Sequence, residues 1–312
     1  MHLLIPFAAA DFPQGRPVLR LPDLPHLQAL LGGLAPGPVE SGPEDDPAMP
    51  HERFKARLLG ISNNVPGCIP WAAHALAQGG REPGDAAWAW ISPVHLIVGS
   101  AHIALANPGR LELRENESRD LLEAMAPYFA QDGIHLEYQL PGRWLAHGPV
   151  FDGLACASLD RASGQEIQPW IPRVPQLRRL QNEMQMLLYT HPVNDVRQAR
   201  GAVPVNSFWI HGSGKLVPGA TALPATAIVE VAALREAALQ EDTTAWRQAW
   251  THTDSAECRA LRETLGGSAQ LTMLTLCGTR NCVTFGPKRR SLMQRMQVAL
   301  RPVSLAQILD AL

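Results

Sequence analysis

Residues Arg178–Lys215, RRLQNEMQMLLYTHPVNDVRQARGAVPVNSFWIHGSGK, decide how the fold is read. Together with Leu177 they open on the clearest helix in the chain. Leu177, Leu180, Met184, Leu187 and Leu188 recur at helical spacing, while Arg178, Arg179 and Glu183 stay off that stripe. A His-Pro-Val-Asn loop and the pair Arg197 and Arg200 follow. The apolar, aromatic run Val205–Ile210 then has the length and composition of a strand.

On both flanks the same alternation continues. Towards the amino end, His2–Ala10 reads as a buried strand and Leu24–Leu34 as a helix. Residues 35–50, rich in Pro, Gly, Glu and Asp, read as a surface loop. Helices are expected at His51–Leu59 and at Pro70–Gln78, where proline suits the first turn. Strands Ala87–Ile91, Val94–Val98 and Ile103–Ala106 come next, then helix Asn116–Phe129 and a hairpin of Ile134–Gln139 with Arg143–Ala146. Towards the carboxyl end lie strand Ala225–Ala232 running into a helix, helix Thr244–Trp250, strands Gln270–Cys277 and Asn281–Phe285, and helix Ser291–Leu300. Strands flanked by helices imply an α/β core with a largely parallel sheet, and the hairpin segment implies an inserted α+β subdomain. The expected division is a core of residues 1–91 and 186–312 around an insertion at 92–185.

Composition narrows the functional classes. The chain has 312 residues, 46% of them hydrophobic, which is normal for a globular protein and excludes wholesale disorder. Lys+Arg 27 against Asp+Glu 29 gives a net charge of −2, so no global field draws it to nucleic acid or an anionic membrane. The basic run Lys288-Arg289-Arg290, with Arg295 and Arg301, lacks interleaved aromatics and reads as a solvated face. No segment approaches the ~20 apolar residues that cross a bilayer. The apolar start lacks the basic residues of a signal peptide, so a cytoplasmic location is the expectation. Five cysteines without a C-x-x-C pair read as reduced, mostly buried thiols.

Familiar catalytic signatures are missing. In His211-Gly-Ser-Gly-Lys-Leu216, Trp209 stands where a phosphate-binding Walker loop needs its first glycine, and Leu216 where it needs a hydroxyl. Val217 occupies the third glycine position of a dinucleotide fingerprint, so the segment reads as a glycine-rich turn after a strand. His95 and His102 would approach each other on paired strands, but two ligands are too few for a metal. No G-x-S-x-G or H-E-x-x-H occurs. The residues left to shape a ligand site are Asn194, Arg197, Arg200 and Asn206, with Trp90, His95 and His102 as further candidates. Two arginines would form a forked anion cradle, and the amides would fix the loop. The alternative is structural: Asn194 capping the next helix and the arginines exposed.

The run from Arg178, with PVHLIVGSAHIAL (93–105), ESRDLLEAM (117–125), FAQDG (129–133) and TLCG (275–278), resembles bacterial RpfE-type regulatory proteins. These are named for regulation of pathogenicity factors and labelled cofactor-independent phosphoglycerate mutase-like. His191–Gly214, Pro22–Leu27 and Gly84–Ser92 resemble, in the same order, stretches of the archaeal-type mutases. That resemblance implies an alkaline-phosphatase-like, doubly wound core with an inserted domain. It also implies a mechanism with two divalent metals and a phosphorylated serine, and there this sequence departs from it. Phe7-Ala8 stands in place of the Asp-Gly after the first strand, leaving only Asp11, and Pro50–Glu52 contains no nucleophilic serine. Cys277–Asn281 replaces the late Asp-x-x-x-His pair.

The resemblance and its departures together imply a non-catalytic regulatory or binding protein for a small phosphorylated or anionic ligand, with no metal or cofactor. Two rivals stand beside it. One is an active mutase or other phosphomonoester-processing enzyme using His51, Glu52 and Asp11. The other is a protein-interaction module displaying Trp170 and the proline-rich Gln168–Pro175.

Overall fold

The computed structural model describes residues 1–12, 21–61, 65–99, 102–217, 228–265, 272–287 and 304–312. The basic run from Lys288, with Arg295 and Arg301, and the helix expected at Ser291–Leu300 lie outside them. The chain is mixed α/β and divides into two units: Met1–Glu44, Pro50–Lys55 and Leu223–Leu312 in the first, Asp45–Met49 and Ala56–Ala222 in the second.

The first unit is built on a five-stranded mixed sheet. β1 (His2–Ile5) is flanked by β9 (Ile228–Glu230) and β10 (Met273–Cys277), both parallel to it. β11 (Asn281–Gly286) and β2 (Ala35–Ser41) continue the sheet antiparallel, in the order β2-β11-β10-β1-β9. Its interior position, between two parallel neighbours, explains why every residue of β1 is buried and why its sequence does not alternate. The expected strand His2–Ala10 ends early, at Ile5. Pro6 has no N–H to donate, and Phe7 turns into the left-handed region at φ 52°.

The expected surface loop at 35–50 is also corrected, because its first residues are β2. Prolines are tolerated in a strand at a sheet edge, which is where Pro36 and Pro38 lie. Leu27, Leu30 and Leu31 of α1 (Pro25–Gly33) pack into a core with Leu3, Ile5, Leu274, Leu276 and Phe285. Trp246 and Trp250 of α9 (Thr243–Thr253) complete it. The helix start at α1 is satisfied from afar: the Asp254 carboxylate accepts the Leu27 amide at 2.7 Å and the His26 amide at 3.3 Å. α8 (Ala232–Leu239), α10 (Arg259–Leu265), α11 (Leu305–Asp310) and the opening residues of α2 (Pro50–Leu58) belong to the same unit.

The second unit carries a four-stranded antiparallel sheet. Its order is β6 (His135–Leu140), β7 (Arg143–His147), β3 (Trp88–Val94), β8 (Ser207–Gly214). β3 and β8, placed by the sequence reading in the core, are therefore hydrogen-bonded neighbours here. α4 (Glu115–Gln131) and α6 (Pro175–Tyr189) bury Leu121, Met125, Phe129, Leu177, Leu180, Met184 and Leu188 with Trp144 and Phe208. The leucine stripe of Arg178–Tyr189 is thus the core face it was expected to be. α3 (Trp71–Gln78) and α5 (Leu159–Ala162) are further helices of the unit, and β4 (Leu96–Val98) pairs with β5 (Ile103–Leu105) in a short hairpin.

β8 extends past the expected end at Ile210, and all eight of its residues are buried. Its partners step from Trp88↔Gly214 to Trp90↔His211, so β8 carries one extra residue. Gly212, at φ +63°, is where a glycine in that conformation forms a β-bulge. The glycines of His211–Lys215 therefore serve a kinked strand and not a terminal turn. Among the described residues no helix is long and apolar enough to cross a membrane.

Candidate functional site

The His-Pro-Val-Asn stretch is a helix start and not a loop. α7 (Pro192–Ala199) has proline in its first turn, and His191 caps it by accepting the Val193 amide on Nδ1 at 3.3 Å. One turn into the helix, Asn194 is buried and fully engaged. Its amide nitrogen donates to the carbonyls of Leu188 and Val205, each at 2.7 Å, and its oxygen accepts the Val205 amide at 2.8 Å. It fastens the return segment 203–206 and does not cap the helix.

Arg197 is wholly buried, so neither a ligand cradle nor an exposed arginine describes it. Nε and Nη2 donate to the Val203 carbonyl at 2.9 and 2.7 Å, Nη2 also reaches the Leu111 carbonyl, and Nη1 donates to Glu117 Oε2 at 2.5 Å. Arg200 donates to the other Glu117 oxygen at 2.7 Å, and the Arg114 amide to Oε2 at 3.0 Å. The two arginines do converge on an anion, but that anion is a side chain of this protein. Sequence reading missed Glu117. It lies 80 residues from Arg197, and its one local signal is its place three residues after Arg114 at the start of α4.

Burial pushes the Glu117 carboxyl up. The Arg114 amide and the two guanidiniums more than offset this, so it is held below the usual carboxylate range. A carboxyl depressed in the folded state stabilises above its unfolded pKa, and that contribution is lost as pH falls through the folded value. Urea midpoints should therefore drop below about pH 4.5 more steeply in the natural protein than in Glu117→Gln, compared at pH 7, 5, 4 and 3. Parallel slopes in the two proteins would remove Glu117 as the source.

Asn206 and His95 fasten the other side of the return segment. Asn206 accepts the Leu96 amide at 2.7 Å and donates to the Leu96 carbonyl at 2.9 Å. His95 Nδ1 lies 3.0 Å from the Pro204 carbonyl, an acceptor only, so that nitrogen carries the proton. Four of the seven expected residues, Asn194, Arg197, Asn206 and His95, thus gather around 203–206, and Arg200 joins them through Glu117. Beside them lies a cavity of about 220 Å³, with His95, Ile97, Pro108, Arg110, Leu111 and Val203 in its walls. Both carbonyls gripped by Arg197 belong to wall residues, Leu111 and Val203. The residues expected to touch a ligand mostly hold the walls, and of them His95 alone lines the space. Arg110, in a Pro-Gly-Arg turn, carried no sequence signal as a lining residue.

Trp90 and His102 do not join this group. Trp90 packs against His211 at 5.4 Å between ring centroids, with the Arg143 guanidinium 4.5 Å from its ring centre. His211 in turn contacts Ser92 Oγ at 3.0 Å through Nε2. His95 and His102 do not approach each other, because they flank opposite ends of the β4–β5 ladder. Ala106 donates to the His95 carbonyl and Gly99 to that of His102, each at 2.9 Å. The residues named for the rivals are placed as follows. Asp11 accepts the Thr279 hydroxyl at 2.9 Å, and the buried His51 ring lies 5.8 Å from Phe7. Trp170 is half-buried, with the Arg161 guanidinium 5.7 Å from its ring.

No family profile and no curated protein matches this chain. Among solved structures it is similar to the cofactor-independent phosphoglycerate mutase from Thermoplasma acidophilum, at 16% identity over 93% of this chain and 90% of that one, with a TM-score of 0.34. It is similar also to the PH0037 protein from Pyrococcus horikoshii, at 12% identity over 94% and 90% of the two chains, with a TM-score of 0.45. Likenesses this distant assign neither a ligand nor a reaction.

Proposed function

We propose that the protein binds a small anionic organic molecule, in the cavity bounded by His95, Arg110 and Val203, and acts through binding and not catalysis. The observation that carries this reading is the composition of that cavity. One guanidinium, one imidazole anchored through Nδ1 to the Pro204 carbonyl and the apolar Ile97, Pro108, Leu111 and Val203 meet in a space of about 220 Å³. The volume falls below the ~300–1,000 Å³ of drug-sized sites, which suits a metabolite bearing one carboxylate or phosphate on a short apolar body. Arg110 would take the anionic group and the apolar wall the remainder.

The ends of the parallel strands support the non-catalytic part. A dinuclear phosphotransfer centre needs several carboxylate and imidazole ligands around two cations. After β1 come Phe7, Ala8, Ala9 and Ala10, and Asp11 is engaged with Thr279. After β10 come Gly278, Thr279 and Arg280, and burial pushes the Cys277 thiol well up. These residues do not fit such a centre.

Thermal melting against inorganic phosphate, 3-phosphoglycerate and a panel of short-chain carboxylates tests the binding. A ligand at a hundred times its Kd adds about 2.7 kcal/mol, a rise of several degrees. Arg110→Ala should abolish the rise given by any hit, and a hit unaffected by that change would place binding elsewhere. Two equivalents of tightly held divalent metal in the purified protein, together with phosphoglycerate turnover, would overturn the non-catalytic reading.

A further inference from the structure

Four residues, Gly278–Asn281, separate Cys277 from Cys282, and the β10–β11 register sets the two cysteines directly opposite each other. Gly278 donates to the Asn281 carbonyl at 2.9 Å, which closes the hairpin immediately beyond the two cysteines. Their thiols are in hydrogen-bond contact, and both are reduced and buried. Directly opposed residues of an antiparallel pair have Cα atoms ~4.5–5.5 Å apart. A disulfide accepts ~4.4–6.8 Å, so the spacing of such a rung lies within the range that a cross-link spans. The other three cysteines are differently placed. Cys68 and Cys156 both contact Ser213, through its carbonyl at 3.8 Å and its hydroxyl at 3.3 Å, and Cys258 sits in the π-helical turn Asp254–Cys258.

We propose that Cys277 and Cys282 form a reversible disulfide, which makes the β10–β11 hairpin an oxidation site. The co-reactant is a small disulfide of the glutathione class. One cysteine thiolate attacks a sulfur of the oxidised tripeptide, forming a mixed disulfide and releasing one glutathione thiolate. The opposed cysteine then loses its proton to solvent and attacks the protein-side sulfur, expelling the second thiolate. Two protein thiols lose two electrons, and one glutathione disulfide becomes two glutathiones. Selectivity comes from apposition and not from acidity. Burial raises the Cys156 and Cys258 thiols to about 12 and raises Cys277 as well, so no thiol among these three is activated. The first attack is therefore slow and waits on local opening of the hairpin. The second is fast, because its nucleophile is already in place.

The linkage would fix the backbone at the carboxyl end of β1. The Cys277 carbonyl accepts the Ala8 amide at 2.7 Å, and Thr279, two residues on, holds Asp11.

The test is to equilibrate the folded full-length protein for days in glutathione buffers of graded ratio. Samples are then quenched in acid, alkylated under denaturing conditions and mapped by peptide mass. The expected product is a peptide pair lighter by two hydrogens that links Cys277 to Cys282, exceeding any other pair about tenfold, with Cys68, Cys156 and Cys258 alkylated. In Cys282→Ser the glutathione adduct on Cys277 should persist, since nothing resolves it. Full alkylation of both cysteines in buffers that oxidise the urea-unfolded chain overturns the proposal. So does a lasting glutathione adduct on the natural protein, or a dominant link to another cysteine.

Discussion

Replacing Arg197 with methionine is expected to cost about 3–5 kcal/mol of stability, because it leaves the Glu117 carboxylate buried without its closest partner. Methionine keeps much of the arginine's length, so the loss reports on charge and hydrogen bonding more than on volume. The double change Glu117→Leu with Arg197→Met should recover part of the loss, since no charge then stays buried. Recovery will be incomplete, because the Leu111 and Val203 carbonyls still lose their donors. Urea unfolding of the natural protein, the single variant and the double variant measures this. A single variant within about 1 kcal/mol of the natural protein would show that the cluster is not the fastening it is taken to be. The same substitution should also weaken any ligand response at the cavity, whose Leu111 and Val203 walls Arg197 ties together.

Gly212→Ala should lower stability by about 2–5 kcal/mol, from two sources acting together. At φ +63° any side chain strains the backbone, by about 1–2 kcal/mol. The added methyl would also lie 2.9 Å from the Trp90 ring and 3.1 Å from Trp71 Cβ, and crowding of this kind costs a further ~1–3 kcal/mol. Gly80, also at positive φ, has nothing within 4 Å of an added Cβ. Gly80→Ala therefore isolates the backbone part, and its loss should be well under that of Gly212→Ala. Equal losses in the two variants would show that crowding contributes nothing at the bulge.

The sequence was legible where local pattern and tertiary environment agree. The stripe Leu177, Leu180, Met184 and Leu188 is buried as its spacing demands, and the hairpin after α4 closes where Leu-Pro-Gly predicts. It failed where the environment reverses the local meaning of a residue. Glycines at 212 and 214 read as a turn because a strand interior seldom contains them, and only the extra residue opposite β3 shows the bulge. Pro36 and Pro38 read as loop because the edge position that tolerates them is a property of the whole sheet. The site was half legible. Asn194, Arg197, Asn206 and His95 do converge, but a charge satisfied by a carboxylate 80 residues away cannot be told, from its own neighbours in sequence, from one awaiting a ligand.

The margins of the five-stranded sheet bear on how the chain behaves in company. A strand with an open flank invites another chain to add itself, the first event in aggregation by edge pairing. At one margin, two of the seven residues of β2 are prolines, which offer an incoming strand no N–H. At the other, β9 is three residues long among the described residues. The prolines that disguise β2 as loop thus also guard the first unit against self-propagating growth. Replacing them would expose that liability before it disturbed the interior.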